Sequence, residues 1–189
     1  GYTQQSNYDI LLIKVDASGT LQWAKRYDFG GNENGYIITA SGGLGGIIIK
    51  TDASGNVIYL YNGMPVSSGG YIFTGSYASD VALLRINNLG NLVWVRAYGG
   101  PSSEAGYSVR EIPGQGYIIA GYTNSWGAGG IDGYVIRTDT SGNLVWNRVI
   151  GVGGSTEAIY SVSLTPDGGF FLSGALWSIT PPTKIAKLS

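Results

Sequence analysis

Five cations recur at matched places in the chain, Lys14, Lys50, Arg85, Arg137 and Lys187. Asp9, Asp80 and Asp132 stand five residues before three of them. Such a series suggests a ring of charge lining a channel, or a repeated ion pair. A cation on a solvated strand face, where it discourages edge pairing, is the simpler expectation, with the ion pair second. Glu104 and Glu157 also recur, in E-A-x-Y-S-V. A catalytic acid–base pair is expected to break a repeat rather than follow it, so both read as scaffold. His and Cys are absent. That removes imidazole bases, thiol nucleophiles, disulfides and zinc sites built on Cys or His. No catalytic residue, metal ligand or cofactor is assigned.

Three further motifs invite chemistry. D-x-S-G occurs at Asp16, Asp52 and Asp139, with Asn87-Asn88-Leu89-Gly90 in the corresponding place. A calcium loop brings several carboxylates, whereas each of these offers one Asp and a Ser, so a structural turn is favoured. Gly127-Ala128-Gly129-Gly130 is glycine-rich, but it opens no helix and lacks the Lys-Ser/Thr of a phosphate loop. Arg96 and Arg148 follow Trp94 and Trp146 by two residues, as Lys25 follows Trp23, which suits cation–π stacking. Trp126 and Trp177 fall outside the repeated positions, near loop ends. They are the candidates for anchoring a ligand, a glycan or a protein, although packing across a junction between units is favoured.

The elements that position these residues are hairpins. IKVDASGTLQW from Ile13, IKTDASGNVIY from Ile49, LRINNLGNLVW from Leu84 and IRTDTSGNLVW from Ile136 align without gaps. Each reads as a strand, an Asx-Gly reversal and a return strand. Asp or Asn folds onto the backbone two residues on, and Gly supplies positive φ. The return strands alternate, placing Leu21 with Trp23, Val57 with Tyr59, Leu92 with Trp94 and Leu144 with Trp146 on one face. That face is expected to be buried, with Trp23, Trp94 and Trp146 in the core. A second hairpin follows in the later units, YSVREIPGQGYIIAGYTNS from Tyr107 and YSVSLTPDGGFFLSGALWS from Tyr160. No helix-period segment of useful length appears. The spacing gives hairpin units starting near 9, 46, 80 and 132, with a fifth begun near 183, all in one repeat domain over residues 1–189.

A full unit of four antiparallel strands in about 50 residues has the size of one propeller blade. The pattern D-x-Y-x-I-[KR]-x-D-x-x-G-N-x-x-W, then Y-S-V, then D-G-G-Y-I-x-A-G, resembles the secreted β-propeller repeats of bacteria and archaea. It is followed most closely from Asp132 through Gly174. The resemblance implies an all-β propeller within large extracellular or surface proteins, with Y-S-V as the innermost strand. The first two units depart from it. Tyr36-Ile37-Ile38-Thr39 and Tyr71-Ile72-Phe73-Thr74 keep the last strand, but the Y-S-V partner is missing before each. The same gap twice suggests a partial propeller whose written sequence omits residues, with breaks expected within 30–35 and 63–70.

Composition bounds the function. Aromatics at 12% and hydrophobics at 43% speak against disorder. A net charge of −1 leaves no footprint for nucleic acid, and no apolar run is long enough for a spanning helix, so neither nucleic-acid binding nor membrane insertion is expected. Only 12% of residues are charged, while 32 are Gly. That balance leans toward a secreted or cell-surface protein. Opening on Gly1 rather than Met, the sequence is expected to be a processed product or a piece. The function expected is a non-enzymatic scaffold, adhesion or assembly module whose partners are proteins or further copies of itself. The alternative is a lectin-like propeller that binds a glycan or small ligand.

Overall fold

A computed structural model describes residues 10–15, 18, 20–27, 44–51, 57–127, 130–153 and 155–177. Among these residues every regular element is a β-strand. The first hairpin is β1 (Ile10–Val15) with β2 (Leu21–Tyr27). A five-stranded sheet follows in the order β3 (Leu44–Thr51), β4 (Val57–Pro65), β5 (Tyr71–Tyr77), β6 (Asp80–Ile86) and β7 (Leu92–Tyr98). A four-stranded sheet holds β8 (Glu104–Ile112), β9 (Gly116–Thr123), β10 (Asp132–Thr138) and β11 (Leu144–Ile150) in chain order. Last come β12 (Thr156–Leu164) and β13 (Phe170–Trp177), paired with each other. All pairings are antiparallel, as expected of hairpin-linked strands.

The sheets pack in sequence. β8 lies against β4, β5 and β6, while β12 lies against β8, β9 and β10. β9 is therefore covered on both faces and reads as a nearly continuous apolar run. Tyr117 and Ile119 join Ile72, Leu83, Tyr134 and Ile136 in one core, between the five- and four-stranded sheets. Ile118 and Ala120 point the other way, into a second core with Val135, Ile159 and Val162. β6 and β10 open at Asp80 and Asp132, but the sheets are cut between β7 and β8. The four strands of one sequence unit are thus shared between two sheets.

Across 63–70 the backbone runs on as strand and turn. β4 continues through Gly63 to Pro65, and the turn beyond it is closed by Val66 N–H to the Gly70 carbonyl at 3.1 Å. Residues 30–35, the other expected break, lie outside the described residues. β4 itself supplies the strand that looked missing. It pairs with β3 as a return strand and with β5 as β8 pairs with β9. The match extends to a bulge: the register shifts between Leu60 and Asn62, between Gly106 and Ser108, and between Ile159 and Ser161. Tyr61, Tyr107 and Tyr160 are the extra residues. Opposite them stand Gly75, Gly121 and Gly174. A Cβ on Gly121 would collide with the Ala105 carbonyl oxygen, and one on Gly174 with that of Ala158. The closing Gly of Y-I-x-A-G is therefore the residue that lets the bulged strand approach.

The return strands are less covered than their alternation predicts. Trp94 and Trp146 are half-buried, and Leu92 and Leu144 are exposed. β7 and β11 are edge strands, so the neighbouring sheet covers only one side of each. There Trp94 meets Tyr117 edge-on at 6.0 Å, and Trp146 meets Phe170 at 6.2 Å. The side chain of Trp23 lies outside the described residues.

Candidate functional site

Hairpin register places the recurring cation. Lys14 faces Trp23, Arg85 faces Trp94 and Arg137 faces Trp146, each beside a register shift. Arg85 is buried. Its guanidinium donates to the carbonyls of Ile86, Gly69 and Tyr71, and to Ser68 Oγ at 3.2 Å. It thereby ties the β4–β5 turn to the end of β6. Arg137 does the same for the β8–β9 turn, donating to the carbonyls of Gln115 at 3.0 Å and Thr138. At Arg85 this corrects the expectation of a solvated face or an ion pair, whereas Arg137 stays partly exposed. Turn carbonyls lack strand partners, and a guanidinium fork satisfies several of them at once without a carboxylate. The side chains of Lys14 and Lys50, and all of Lys187, lie outside the described residues, as does Asp9.

Asp80 and Asp132 open β6 and β10, turned toward a different neighbour. A Cβ on Gly99 would meet both Asp80 and Glu104, so these two carboxyls flank one glycine at the seam between sheets. Glu104 accepts from Thr123 Oγ1 at 2.8 Å and from Gly100 N–H at 3.0 Å. Burial, and after it Glu104, raises the Asp80 carboxyl above its ordinary pKa. Tyr134 beside them is pushed up to about 12, by burial first and then by Glu104 and Asp80. The next seam repeats the plan with one difference: Glu157 Oε2 is buried and accepts no hydrogen bond. Glu157 accepts from Val152 N–H at 3.4 Å, and its carboxyl is raised by burial and, less, by Asp132. In each seam the first strand's Glu N–H also binds across, to Ser79 or Ile131.

The Asx-Gly loops are turns with their oxygens occupied. Asp139 accepts from Ser141 N–H at 2.9 Å, Asn143 N–H at 2.8 Å and Asn143 Nδ2 at 2.8 Å. Asn87, standing for that Asp, accepts from Leu89 and Asn91 N–H at 2.9 and 3.0 Å. Gly90 and Gly142 both have φ of 77°. The corresponding loops at Asp16 and Asp52 fall largely outside the described residues. Gly127 packs against the Asp132 carboxylate, the opposite of an anion cradle; Ala128 and Gly129 lie outside the described residues. Arg96 and Arg148 stack on Trp94 and Trp146 at 5.6 and 5.5 Å, as the spacing predicts. The side chains of Trp23 and Lys25 are not among those described.

The two singled-out tryptophans part company. Trp126, 42% exposed, covers Gly100 and stacks on Tyr134 at 5.6 Å, which is packing at the seam between two sheets. Trp177, 54% exposed, belongs to a row of rings. It meets Tyr160 at 6.3 Å; Tyr160 meets Tyr107 at 5.3 Å; and Tyr107 meets Tyr122 at 5.6 Å. Two of the four are the bulge tyrosines. Sequence reasoning missed this row because Tyr was read as part of the Y-S-V strand. The recurrence of Tyr at the head of Y-S-V, at Tyr107 and Tyr160, was the available signal.

Among the described residues no group of three or more Asp or Glu side chains is placed to hold a metal ion. Nor is any helix there long and apolar enough to cross a membrane. Neither a known family model nor a curated protein matches the chain.

Proposed function

We propose that the chain is part of an extracellular or cell-surface β-propeller that acts without catalysis, as a scaffold, adhesion or assembly module with protein partners or further copies of itself. Its sheets would be successive blades, with β4, β8 and β12 nearest the axis. One observation carries the non-enzymatic reading: four of the recurring ionisable groups are spent on the fold. Arg85 and Arg137 are bound by turn carbonyls, Glu104 by Thr123 and Gly100, and Asp139 by its own turn. The low charge content supports an exported protein. Assays of the purified chain on glycan and peptide substrates test the first point. No turnover is expected. Hydrolysis abolished by Asp80→Asn or Glu104→Gln would overturn it. Native mass spectrometry should show self-assembly or capture by a surface protein.

The second reading, a glycan-binding propeller, is favoured by the row of four rings ending at Trp177. No role as a ligand anchor is proposed for Trp126, whose ring is engaged between Gly100 and Tyr134.

A further inference from the structure

We infer that the row Tyr122–Tyr107–Tyr160–Trp177 is a binding platform for the apolar ring faces of a neutral oligosaccharide. This deepens the glycan reading and rests on it. The row is built by backbone devices as well as by side-chain chemistry. A bulge in β8 and another in β12 insert Tyr107 and Tyr160 as extra residues, and each is permitted by a glycine across the ladder. Bulges re-aim a side chain at the cost of a ladder position, and they concentrate beside functional sites. Here they bring two rings from adjacent sheets to 5.3 Å. β9 and β13 add the outer members, Tyr122 and Trp177. Exposure increases along the row, from half-buried Tyr122 and Tyr107 to Tyr160 at 46% and Trp177 at 54%.

The ring geometry selects the ligand. Tyr122, Tyr107 and Tyr160 succeed one another at 5.6 and 5.3 Å, with planes tilted by 40° and 42°. Trp177 stands at 81° to Tyr160, so the row presents a stepped apolar surface of ring edges and part-faces at short intervals. A polyproline helix repeats every three residues of about 3.1 Å each, roughly 9 Å, so its contact points are too far apart for this row. Single-stranded nucleic acid stacks on aromatics but needs a positive groove along its backbone, and the chain carries −1 overall. The residues two places along the chain, Ala120 and Asn124 by Tyr122, Val162 by Tyr160 and Ala175 by Trp177, carry no charge. An uncharged ligand with hydroxyl groups and an apolar face fits these neighbours. Aromatic rings supply contact area at low entropy cost, and their tips can donate hydrogen bonds.

The test titrates the whole chain with cellohexaose, xylohexaose and chitohexaose, following tryptophan fluorescence and heat of binding. At least one of the three should bind. Trp177→Ala should weaken that binding by about tenfold and Tyr160→Ala by about fivefold, while Trp126→Ala leaves it unchanged. Trp177 is more than half exposed, so its variant should keep the melting temperature of the parent and report on binding alone. Binding of none of the three sugars would overturn the platform. So would affinity insensitive to both row substitutions, or preference for a sulfated polysaccharide or a proline-rich peptide. If sugar binds elsewhere, with Trp177→Ala silent, the platform fails while the glycan reading survives. If bound sugar is cleaved, the platform stands and the non-catalytic reading falls.

Discussion

The five-stranded and four-stranded sheets are made from the same parts and differ in one joint. In the β6–β7 and β10–β11 hairpins the register shifts just after the cation, between Arg85 and Ile86 and between Arg137 and Thr138. The return strand then ends at the sheet edge. The β3–β4 hairpin has no shift at Lys50, which faces Ile58, and Tyr59 faces Ile49 rather than the cation. Its return strand runs on and becomes the bulged partner of β5. Because side chains alternate along a strand, one residue of register decides which face each of them meets. The place of the shift, after the cation in two hairpins and between Gly45 and Ile48 in the third, therefore distinguishes a strand that closes one sheet from a strand that also serves as the inner member of the next pairing.

The sharpest way to break this comparison lies opposite the bulges. Gly121→Val should cost about 3 kcal/mol or more, because its Cβ would meet the Ala105 carbonyl and neither strand has room to shift. If β4 is the true counterpart of β8, Gly75→Val should cost about as much. A chemical denaturation midpoint for Gly75→Val close to the parent's would refute the equivalence. Next in size is Trp94→Ala. A half-buried ring packed on Tyr117 should cost about 2–3 kcal/mol, below the roughly 3–5 kcal/mol of a fully buried one. Trp146→Ala should behave alike in equilibrium unfolding.

The cations separate the two sheets more finely. Arg85→Met strips donors from the carbonyls of Gly69, Tyr71 and Ile86 and should cost about 2 kcal/mol. Arg137→Met, at a half-buried site with fewer partners, should cost about 1 kcal/mol. Equal losses would mean that the fork at Arg85 adds nothing. Smallest is the response at the seam. A carboxyl raised as Asp80 is holds its proton more tightly folded than unfolded. Its contribution to stability is therefore greatest below the ordinary carboxyl pKa of about 4 and is lost as pH rises through the raised value. Asp80→Asn should match the parent near pH 3 and melt higher at pH 7. A variant that melts lower at pH 7 would show that the charge is stabilising.

Hairpins, turns and cation–π pairs were legible in the sequence because each rests on a few neighbouring residues. Asp139, Asn87, Gly90 and Gly142 act within their own turns, and Arg96 and Arg148 act on the strand of their own Trp. What escaped depends on partners far along the chain. Leu60-Tyr61-Asn62-Gly63 does not look like G-Y-S-V, and only its pairing with β5 makes it the same strand. Arg85 looked solvated because the carbonyls it reaches lie across the sheet in a turn sixteen residues away. The ring row joins four strands from two sheets, which no local pattern displays.

The shared strand also sets how the chain should come apart. β3 through β7 are joined strand to strand by backbone ladders, so their amides are expected to open as one unit in hydrogen exchange. The joint after Tyr98 is held by side-chain packing, the Glu104 carboxylate and a few backbone contacts. A protease cutting at exposed Pro101-Ser102 would leave both sheets whole, whereas a cut before Asp80, where the sequence repeat begins, would divide one of them. The unit by which such a chain is copied and the unit by which it unfolds are out of phase by one hairpin.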